Sequence, residues 1–163
     1  MVGQICAGWA SLELSVDTEI WQLSGMKQAP LAACVTNELT SIHTKIRALL
    51  SLCRVWGIDK KVIKDLSSFS QRLYSIAEKR NRAVHDPWVV TEDGHALGQW
   101  NLSREKDGFV SYIRPVSFDE LNAVSAQISD KIMEFQKIRE RLHEFFEPLR
   151  ENPPSWQRPI PSD

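Results

Sequence analysis

The chain has 163 residues, of which 42% are hydrophobic and 25% charged, and this is enough apolar sequence for one globular domain with a core. The formal net charge of −1 and the pI of about 6.4 exclude a protein whose whole surface coats nucleic acid, so an anionic partner would bind a local basic patch. Three cysteines without a CxxC pair argue against a disulfide framework or a zinc site, and no run approaches the ~20 apolar residues of a membrane span, so we expect a cytoplasmic protein without a membrane partner.

The first half of the chain predicts three amphipathic helices. The first ends at Gly25, and its apolar residues recur at helical spacing: Ile5, Trp9, Leu12, Val16, Ile20 and Leu23. The second opens at Pro30 and ends at Gly57, with one continuous apolar stripe: Val35, Leu39, Ile42, Ile46, Leu49, Cys53 and Trp56. The third begins at Asp59, a predicted N-cap, and its stripe is Val62, Leu66, Phe69, Leu73 and Ile76.

The second half predicts a small sheet and a last helix. Alternating runs at 88–91, 97–102 and 109–114, separated by turn residues, indicate an antiparallel β-meander within residues 88–115. Ser117 and Glu120 form a predicted capping box, and the helix after them carries this stripe: Leu121, Val124, Ile128, Ile132, Phe135, Ile138, Leu142 and Phe145. We therefore expect an all-α protein, an antiparallel four-helix bundle with the meander inserted before the last helix. Residues 1–147 form a single domain in this prediction, and the proline-rich residues 148–163 form an extended tail.

Arg80 breaks the apolar stripe of the third helix, since it occupies the next position on the same helix face, four residues after Ile76. A cation there is costly unless it lies at the exposed helix end, finds a partner or serves a site. It opens the segment Arg80-Asn81-Arg82-Ala83-Val84-His85, which precedes Asp86-Pro87. Arginine presents a planar set of donors to phosphate, and histidine, with a usual pKa of about 6.5, can transfer protons near neutral pH. Together these groups have the chemistry for metal-free cleavage of RNA.

The spacing of these residues restricts how they can meet. Asn81 precedes His85 by four residues and shares its helix face, so its amide can orient the imidazole or bind a phosphate oxygen. Arg80 and His85 differ by about 140° around an ideal helix. They can meet if the arginine reaches around the helix, if the last turn unwinds before Pro87, or if a second subunit completes the site. Because transesterification is best served by two proton-transfer groups, an active form is expected to be a homodimer that supplies a second His85.

The segment Arg80-Asn81-x-x-x-His85 resembles the signature of the HEPN superfamily, all-α domains of prokaryotic toxin and defence systems in which a histidine follows an arginine after four to six residues. The resemblance implies an RNA-binding domain and a metal-independent, cofactor-free endoribonuclease that works as a homodimer, with Arg80, Asn81 and His85 in its cleft. It also implies an antitoxin protein as a partner in the toxin–antitoxin members. The chain differs from that branch at Pro87, where the branch has a tyrosine, and in carrying the meander.

A basic surface surrounds the motif. Between residues 59 and 82 the third helix carries seven lysines and arginines against three carboxylates, an excess of four positive charges. Lys79 and Arg82, next to the motif, are predicted to bind RNA, whereas Lys60, Lys61 and Lys64 are interpreted as solvated surface.

Two other interpretations of the motif stay open. In the first, Arg80 and His85 have a purely structural role and satisfy the carbonyl groups at the C-terminal end of the helix. The domain can also be a non-catalytic module that dimerises or binds protein, nucleotide or nucleic acid.

Several further residues are secondary candidates. His95, in a predicted hairpin tip, could reach over a cleft, and Trp88 and Trp100 could stack on bases but are more typical of packing. His43 and His143 lack partners at metal-ligand spacing, so no metal site is expected. The acidic residues of the first helix are predicted to lie on a solvated face or to pair with arginines of the third helix: Glu13, Asp17 and Glu19.

Overall fold

The computed structural model describes residues 1–26, 28–90, 97–105 and 108–151. Within these ranges the chain forms five helices, α1 (Val2–Ser24), α2 (Ala29–Asn37), α3 (Ile42–Val55), α4 (Lys60–His85) and α5 (Phe118–Glu151). Strands β1 (Trp88–Val90), β2 (Leu97–Glu105) and β3 (Gly108–Pro115) lie between α4 and α5 in the chain. The prediction of a mainly helical fold with an antiparallel meander before the last helix is confirmed. Among the described residues, no helix has both the length and the apolar character needed to cross a bilayer.

The helix ends follow the predicted capping chemistry. Gly25 and Gly57 take left-handed φ angles of 72° and 68° just after α1 and α3, a conformation that costs glycine little. The Asp59 carboxylate accepts a hydrogen bond of 2.8 Å from the backbone N–H two residues further on. The Ser117 hydroxyl accepts one of 3.1 Å from the N–H three residues further on. These residues set where the helices start and stop because they satisfy backbone groups that the helix leaves unpaired.

The predicted second helix is in fact two helices, α2 and α3. Ser41 and Thr44 form a capping box in which the Ser41 hydroxyl accepts from the Thr44 N–H at 3.2 Å and the Thr44 hydroxyl accepts from the Ser41 N–H at 3.1 Å. Val35, assigned to the continuous stripe, is 48% exposed, whereas Thr36 is buried. The continuous stripe was wrong because the capping chemistry at Ser41 starts a new helix.

The last helix runs further than predicted. α5 extends to Glu151 and contains Pro148, which was placed in the tail. A proline disrupts only the hydrogen bond of its own nitrogen and the packing of the carbonyl four residues before it, so a helix can continue for a few residues beyond it. The predicted core residue Phe145 is 44% exposed, and Phe146 instead packs edge-on against Trp56 with ring centres 4.9 Å apart. The remaining tail prediction, residues 152–163, lies outside the described residues.

The chain divides into two compact units, to which α1, α4 and α5 each contribute residues. The first unit comprises Met1–Ala10 and Leu73–Lys131, and its core contains Ile5, Trp9, Leu73, Ile76, Ala83, Val116, Leu121, Val124 and Ile128. The second comprises Ser11–Arg72 and the residues described from Ile132 onward, and its core includes Phe69 and Phe135, stacked with ring centres 5.5 Å apart. The predicted stripes of α1, α4 and most of α5 supply these cores, as amphipathic helices must.

The meander belongs to the first unit and has the strand order β1-β2-β3, with both pairs antiparallel. Gln99 on β2 pairs with Trp88 on β1 and with Arg114 on β3, so these three side chains lie side by side on one face. Gly98 allows Ile113 to lie close over the strand, since a Cβ at Gly98 would stand 2.5 Å from the Ile113 Cγ2. This register brings a polar row of the sheet to the end of α4.

Candidate functional site

The predicted motif occupies the last turn of α4, in the first unit. The helix continues through His85, and the Asp86 N–H donates to the Arg82 carbonyl at 3.1 Å before Pro87 ends it. The last turn is therefore not unwound, which removes one of the three ways for Arg80 and His85 to meet.

Arg80 reaches both other motif residues within one chain. Its Nη1 donates to the Asn81 Oδ1 at 3.0 Å and lies 3.2 Å from the His85 Nε2. The long arginine side chain thus spans the angle around the helix. Asn81 and His85 are exposed, while Arg80 is half-buried. The structure brings together the three residues predicted to be catalytic.

The contact between Arg80 and His85 has a fixed direction. A guanidinium group can only donate hydrogen bonds, so the His85 Nε2 is the acceptor in this contact. The same nitrogen would have to take the proton in general-base catalysis, so Arg80 must leave it when a substrate binds.

A contact with Trp9 stabilises Arg80 on the apolar face of α4. The Arg80 Cζ lies 5.9 Å from the centre of the Trp9 ring, and Trp9 is 4% exposed. The guanidinium therefore has a cation–π partner on α1. Its Nε is buried and has no hydrogen-bond partner among the described residues. A buried donor without a partner is costly, so packing alone does not explain an arginine at this position. The sequence placed Trp9 only in the core, and nothing in its spacing indicated contact with Arg80.

The meander holds the end of α4 in place. The Gln99 side chain is 1% exposed and donates from Nε2 to the Arg82 carbonyl at 2.8 Å. The Trp88 indole donates to the Ala83 carbonyl at 3.1 Å, and the Trp100 N–H donates to the Pro87 carbonyl at 2.9 Å. Gln99 and Trp88 thus bond to carbonyl groups in the last turn of α4, the role that one interpretation assigned to Arg80 and His85. Sequence reasoning missed Gln99, because only the strand register shows which element a polar strand residue faces.

Lys79 and Arg82, predicted to bind RNA, do not join the Arg80 cluster. The Lys79 Nζ donates to the Gln127 Oε1 at 3.2 Å, and Arg82 forms an ion pair of 2.6 Å with Glu78. Both line a cavity of about 260 Å³ with residues of β2, β3 and α5. The motif turn thus carries two groups of polar residues, which we call the Arg80 cluster (Arg80, Asn81 and His85) and the Arg82 cavity.

Two of the three acidic residues of α1 differ from their prediction as a solvated face. Asp17 and Glu19 are 7% and 1% exposed. In the second unit, Asp17 pairs with Lys45 at 2.6 Å. Glu19 accepts from the Arg139 Nε at 2.6 Å and lies 2.8 Å from the His143 Nε2. Their partners therefore lie on α3 and α5, not among the arginines of α4, because the bundle surrounds this face of α1.

The remaining candidates lie elsewhere. His95 is outside the described residues, and Trp100 is 51% exposed instead of packed inside. Burial, and secondly the cation of Arg47, lowers the pKa of His43. Burial, with a smaller contribution from the Glu19 carboxylate, raises the pKa of the Cys53 thiol to about 12, so this thiol stays protonated. In the described ranges, no three histidine, cysteine, aspartate or glutamate side chains are arranged to hold a metal ion.

The chain was compared with protein families, curated proteins and solved structures. No protein-family model, no curated protein and no solved structure matches this chain. The class of protein is therefore inferred from the Arg80 cluster and its surroundings.

Proposed function

We propose that this chain is a cytoplasmic RNA-binding domain similar to the HEPN superfamily, and that it cleaves RNA without a metal ion. The observation that carries the proposal is the position of the Arg80 Nη1, within hydrogen-bond distance of both Asn81 and His85 at the exposed end of α4. A cation, an amide and an imidazole at one point match the needs of phosphodiester cleavage by an internal hydroxyl.

The chemistry assigns one role to each residue. When RNA binds, Arg80 turns from the His85 Nε2 to the phosphate, and this freed nitrogen removes the proton of the RNA 2′-hydroxyl, whose oxygen attacks the adjacent phosphorus. The Arg80 guanidinium donates to the phosphate oxygen on which charge develops, and Asn81 keeps the guanidinium oriented. The 5′-oxygen leaves with a proton, and the products are a 2′,3′-cyclic phosphate and a 5′-hydroxyl.

The proton for the leaving oxygen has to come from a second acid. Each chain contributes one histidine to the Arg80 cluster, and a two-fold homodimer would place a second His85 at the same cleft. We therefore propose that the active form is a homodimer. In a crystal of the dimer, the two His85 side chains should converge on one cleft, and size-exclusion chromatography with light scattering should give twice the chain mass of 18.7 kDa.

The test of cleavage uses labelled single-stranded RNA in excess EDTA. We expect cleavage by the wild type, with 2′,3′-cyclic phosphate ends, and a loss of at least about 100-fold in His85→Ala, the lower range for a general base. Arg80→Ala should lose as much, and Arg80→Lys should recover only part, because lysine keeps the charge but not the planar set of donors. Arg54→Ala, which removes an exposed arginine from the last turn of α3, is the matched control and should cleave normally. Equal cleavage by wild type, His85→Ala and Arg80→Ala would show a contaminating nuclease and refute the assignment.

A second candidate function is a non-catalytic interaction module. The meander favours it, since three large apolar side chains on one of its faces are exposed by 51%, 57% and 69%: Trp100, Ile113 and Phe109. A protein partner, including an antitoxin that silences a toxin, would bury such a face. Under this function His85→Ala leaves RNA and partner binding unchanged and no variant cleaves RNA. A toxin held by an antitoxin instead predicts that expression of the wild type alone, but not of His85→Ala, stops growth of the host.

A further inference from the structure

The Arg82 cavity has the two kinds of lining that a small amphipathic anion requires. Its volume of about 260 Å³ lies just below the roughly 300 to 1,000 Å³ typical of small-molecule sites. Part of the lining is apolar and buried: Ala83, Val116, Leu121 and Val124. The other part is polar: Lys79, Arg82, Gln99, Arg114, Glu120 and Gln127.

Positive charge prevails in the lining, since three cations face one carboxylate. Arg114 pairs with Glu120 at 2.5 Å, and Arg82 pairs with Glu78, which is outside the lining. The side chains of Arg82 and Arg114 are 51% and 34% exposed. Ion pairs with this exposure are weak, so a phosphate that binds arginine through two hydrogen bonds can replace them.

Arg114 is held ready for such a ligand. Its Nη2 donates to the Gln99 Oε1 at 3.3 Å, and Gln99 is buried and anchored in turn to the Arg82 carbonyl. The Arg114 Nε is buried without a hydrogen-bond partner among the described residues. A fixed guanidinium with an unused donor loses little conformational entropy when an anion binds.

We propose that the Arg82 cavity binds one nucleotide, with the base and sugar against the apolar lining and the phosphate at Arg114, Arg82 and Lys79. That this nucleotide belongs to an RNA strand rests on the proposed function. Arg82 precedes His85 by three residues and so lies on the same side of α4, and an RNA strand that reaches His85 from this side passes within one helical turn of the cavity. The occupant is then the nucleotide that flanks the cleaved phosphate, and the cavity determines the base preference of cleavage.

Binding is tested apart from cleavage, in the full-length His85→Ala protein. The probes are the four 5′-mononucleotides, inorganic phosphate alone and adenosine alone, each titrated while backbone amide resonances are followed by NMR. We expect saturable shifts at Gln99, Arg114 and Leu121, with a mononucleotide bound at least about tenfold more tightly than phosphate or adenosine, because only it uses both parts of the lining. The absence of saturable shifts at these residues with any mononucleotide would overturn the inference.

Two variants and a matched control locate the bound nucleotide. Ala123→Phe places a ring in the lining without removing charge, and Arg114→Gln removes the best-placed cation; each should weaken mononucleotide binding at least about tenfold. Ala126→Phe adds the same ring at an exposed position of α5 outside the lining and should bind like the parent. Circular dichroism and unfolding midpoints establish that all three fold. Binding that survives Ala123→Phe in a folded protein would refute the cavity as the site.

Cleavage of a short single-stranded RNA shows whether the bound nucleotide belongs to the RNA strand or is a free mononucleotide. It also tests the cavity and the proposed nuclease separately. If the strand supplies the occupant, Ala123→Phe in the otherwise wild-type chain raises KM or changes the preferred base next to the cut, and Ala126→Phe does neither. Cleavage that is identical in Ala123→Phe and Ala126→Phe overturns the flanking-nucleotide role while the proposed nuclease stands. Mononucleotide binding without any RNA cleavage supports the cavity and refutes the nuclease.

Discussion

At the scale of single residues, Arg80 shows how a side chain can violate the pattern of its own helix for a reason that lies on other elements. Its guanidinium lies over Trp9 on α1 and bonds to Asn81 and His85. A leucine at that position would bury apolar area without leaving a buried donor unpaired. The arginine therefore does not serve the apolar core, and it is the residue to which the proposed function gives the phosphate.

Glu19 is the clearest single residue for a test of stability. It is 1% exposed and bonds to Arg139 and His143, which are 24% and 36% exposed. Glu19→Ala removes the carboxylate that bonds to both the Arg139 Nε and the His143 Nε2, so we expect a loss of about 2 to 4 kcal/mol in the free energy of unfolding, somewhat less than for a fully buried pair. Urea unfolding at pH 7 measures it.

The control for Glu19 is Glu144→Ala, an exposed glutamate on α5. A change within about 0.5 kcal/mol is expected there, as for most surface substitutions. If Glu19→Ala costs no more than Glu144→Ala, the buried ion pairs of the second unit do not contribute as proposed.

At the scale of elements, the end of α4 depends on β2. Gln99 is the link, since it donates to the Arg82 carbonyl and accepts from Arg114. A glutamine in the middle of a short strand carries no sequence sign of this role, because its partner is set by how the sheet packs on the helix. The site at the end of α4 is therefore a product of two elements.

Gln99→Leu tests that link. The substitution keeps the volume but removes the hydrogen bonds of Gln99 to the Arg82 carbonyl and to Arg114, so we expect a loss of about 1 to 3 kcal/mol in unfolding free energy, the range for hydrogen bonds to neutral and charged groups. We also expect faster hydrogen exchange at the Asp86 N–H, which bonds to the same carbonyl. Gln136→Leu, on the exposed surface of α5, serves as control. Unchanged exchange at Asp86 would mean that β2 does not hold the helix end.

At the scale of the whole molecule, stability should depend on pH through His43. Its pKa is lowered by burial and by Arg47, so the unfolded chain takes up the proton at a higher pH than the folded one. The contribution of neutral His43 to stability is complete above about pH 6.5, the usual pKa, and is lost as the pH falls through the lower folded value.

The measurement compares unfolding free energies at pH 7.5 and pH 5.5. Between these two pH values the wild type should lose more unfolding free energy than His43→Gln. The difference should be less than about 1.4 kcal/mol per pH unit, which is the slope for the uptake of one full proton, because His43 is partly exposed. The other histidines are common to both proteins and cancel in the comparison. Parallel pH profiles would contradict the lowered pKa.

The sequence by itself determined the order and kind of the elements and most of the core. The six apolar residues predicted for α1 are all buried, and the glycines and caps stop or start helices where predicted, because periodicity and capping act over a few neighbouring residues. The break at Ser41 was also local, and its Ser-x-x-Thr pattern could have shown it. The motif was also evident from the sequence, because Arg80 places a cation on the apolar face of α4.

Only the tertiary structure decided what surrounds that motif. Contacts of Arg80 with Trp9, of Gln99 with the end of α4, and of Glu19 with Arg139 join residues 17 to 120 positions apart. No periodicity relates such residues, since their distance depends on how helices and strands pack and not on their spacing along the chain. The same holds for the Arg82 cavity, whose lining comes from four elements and exists only once they have packed.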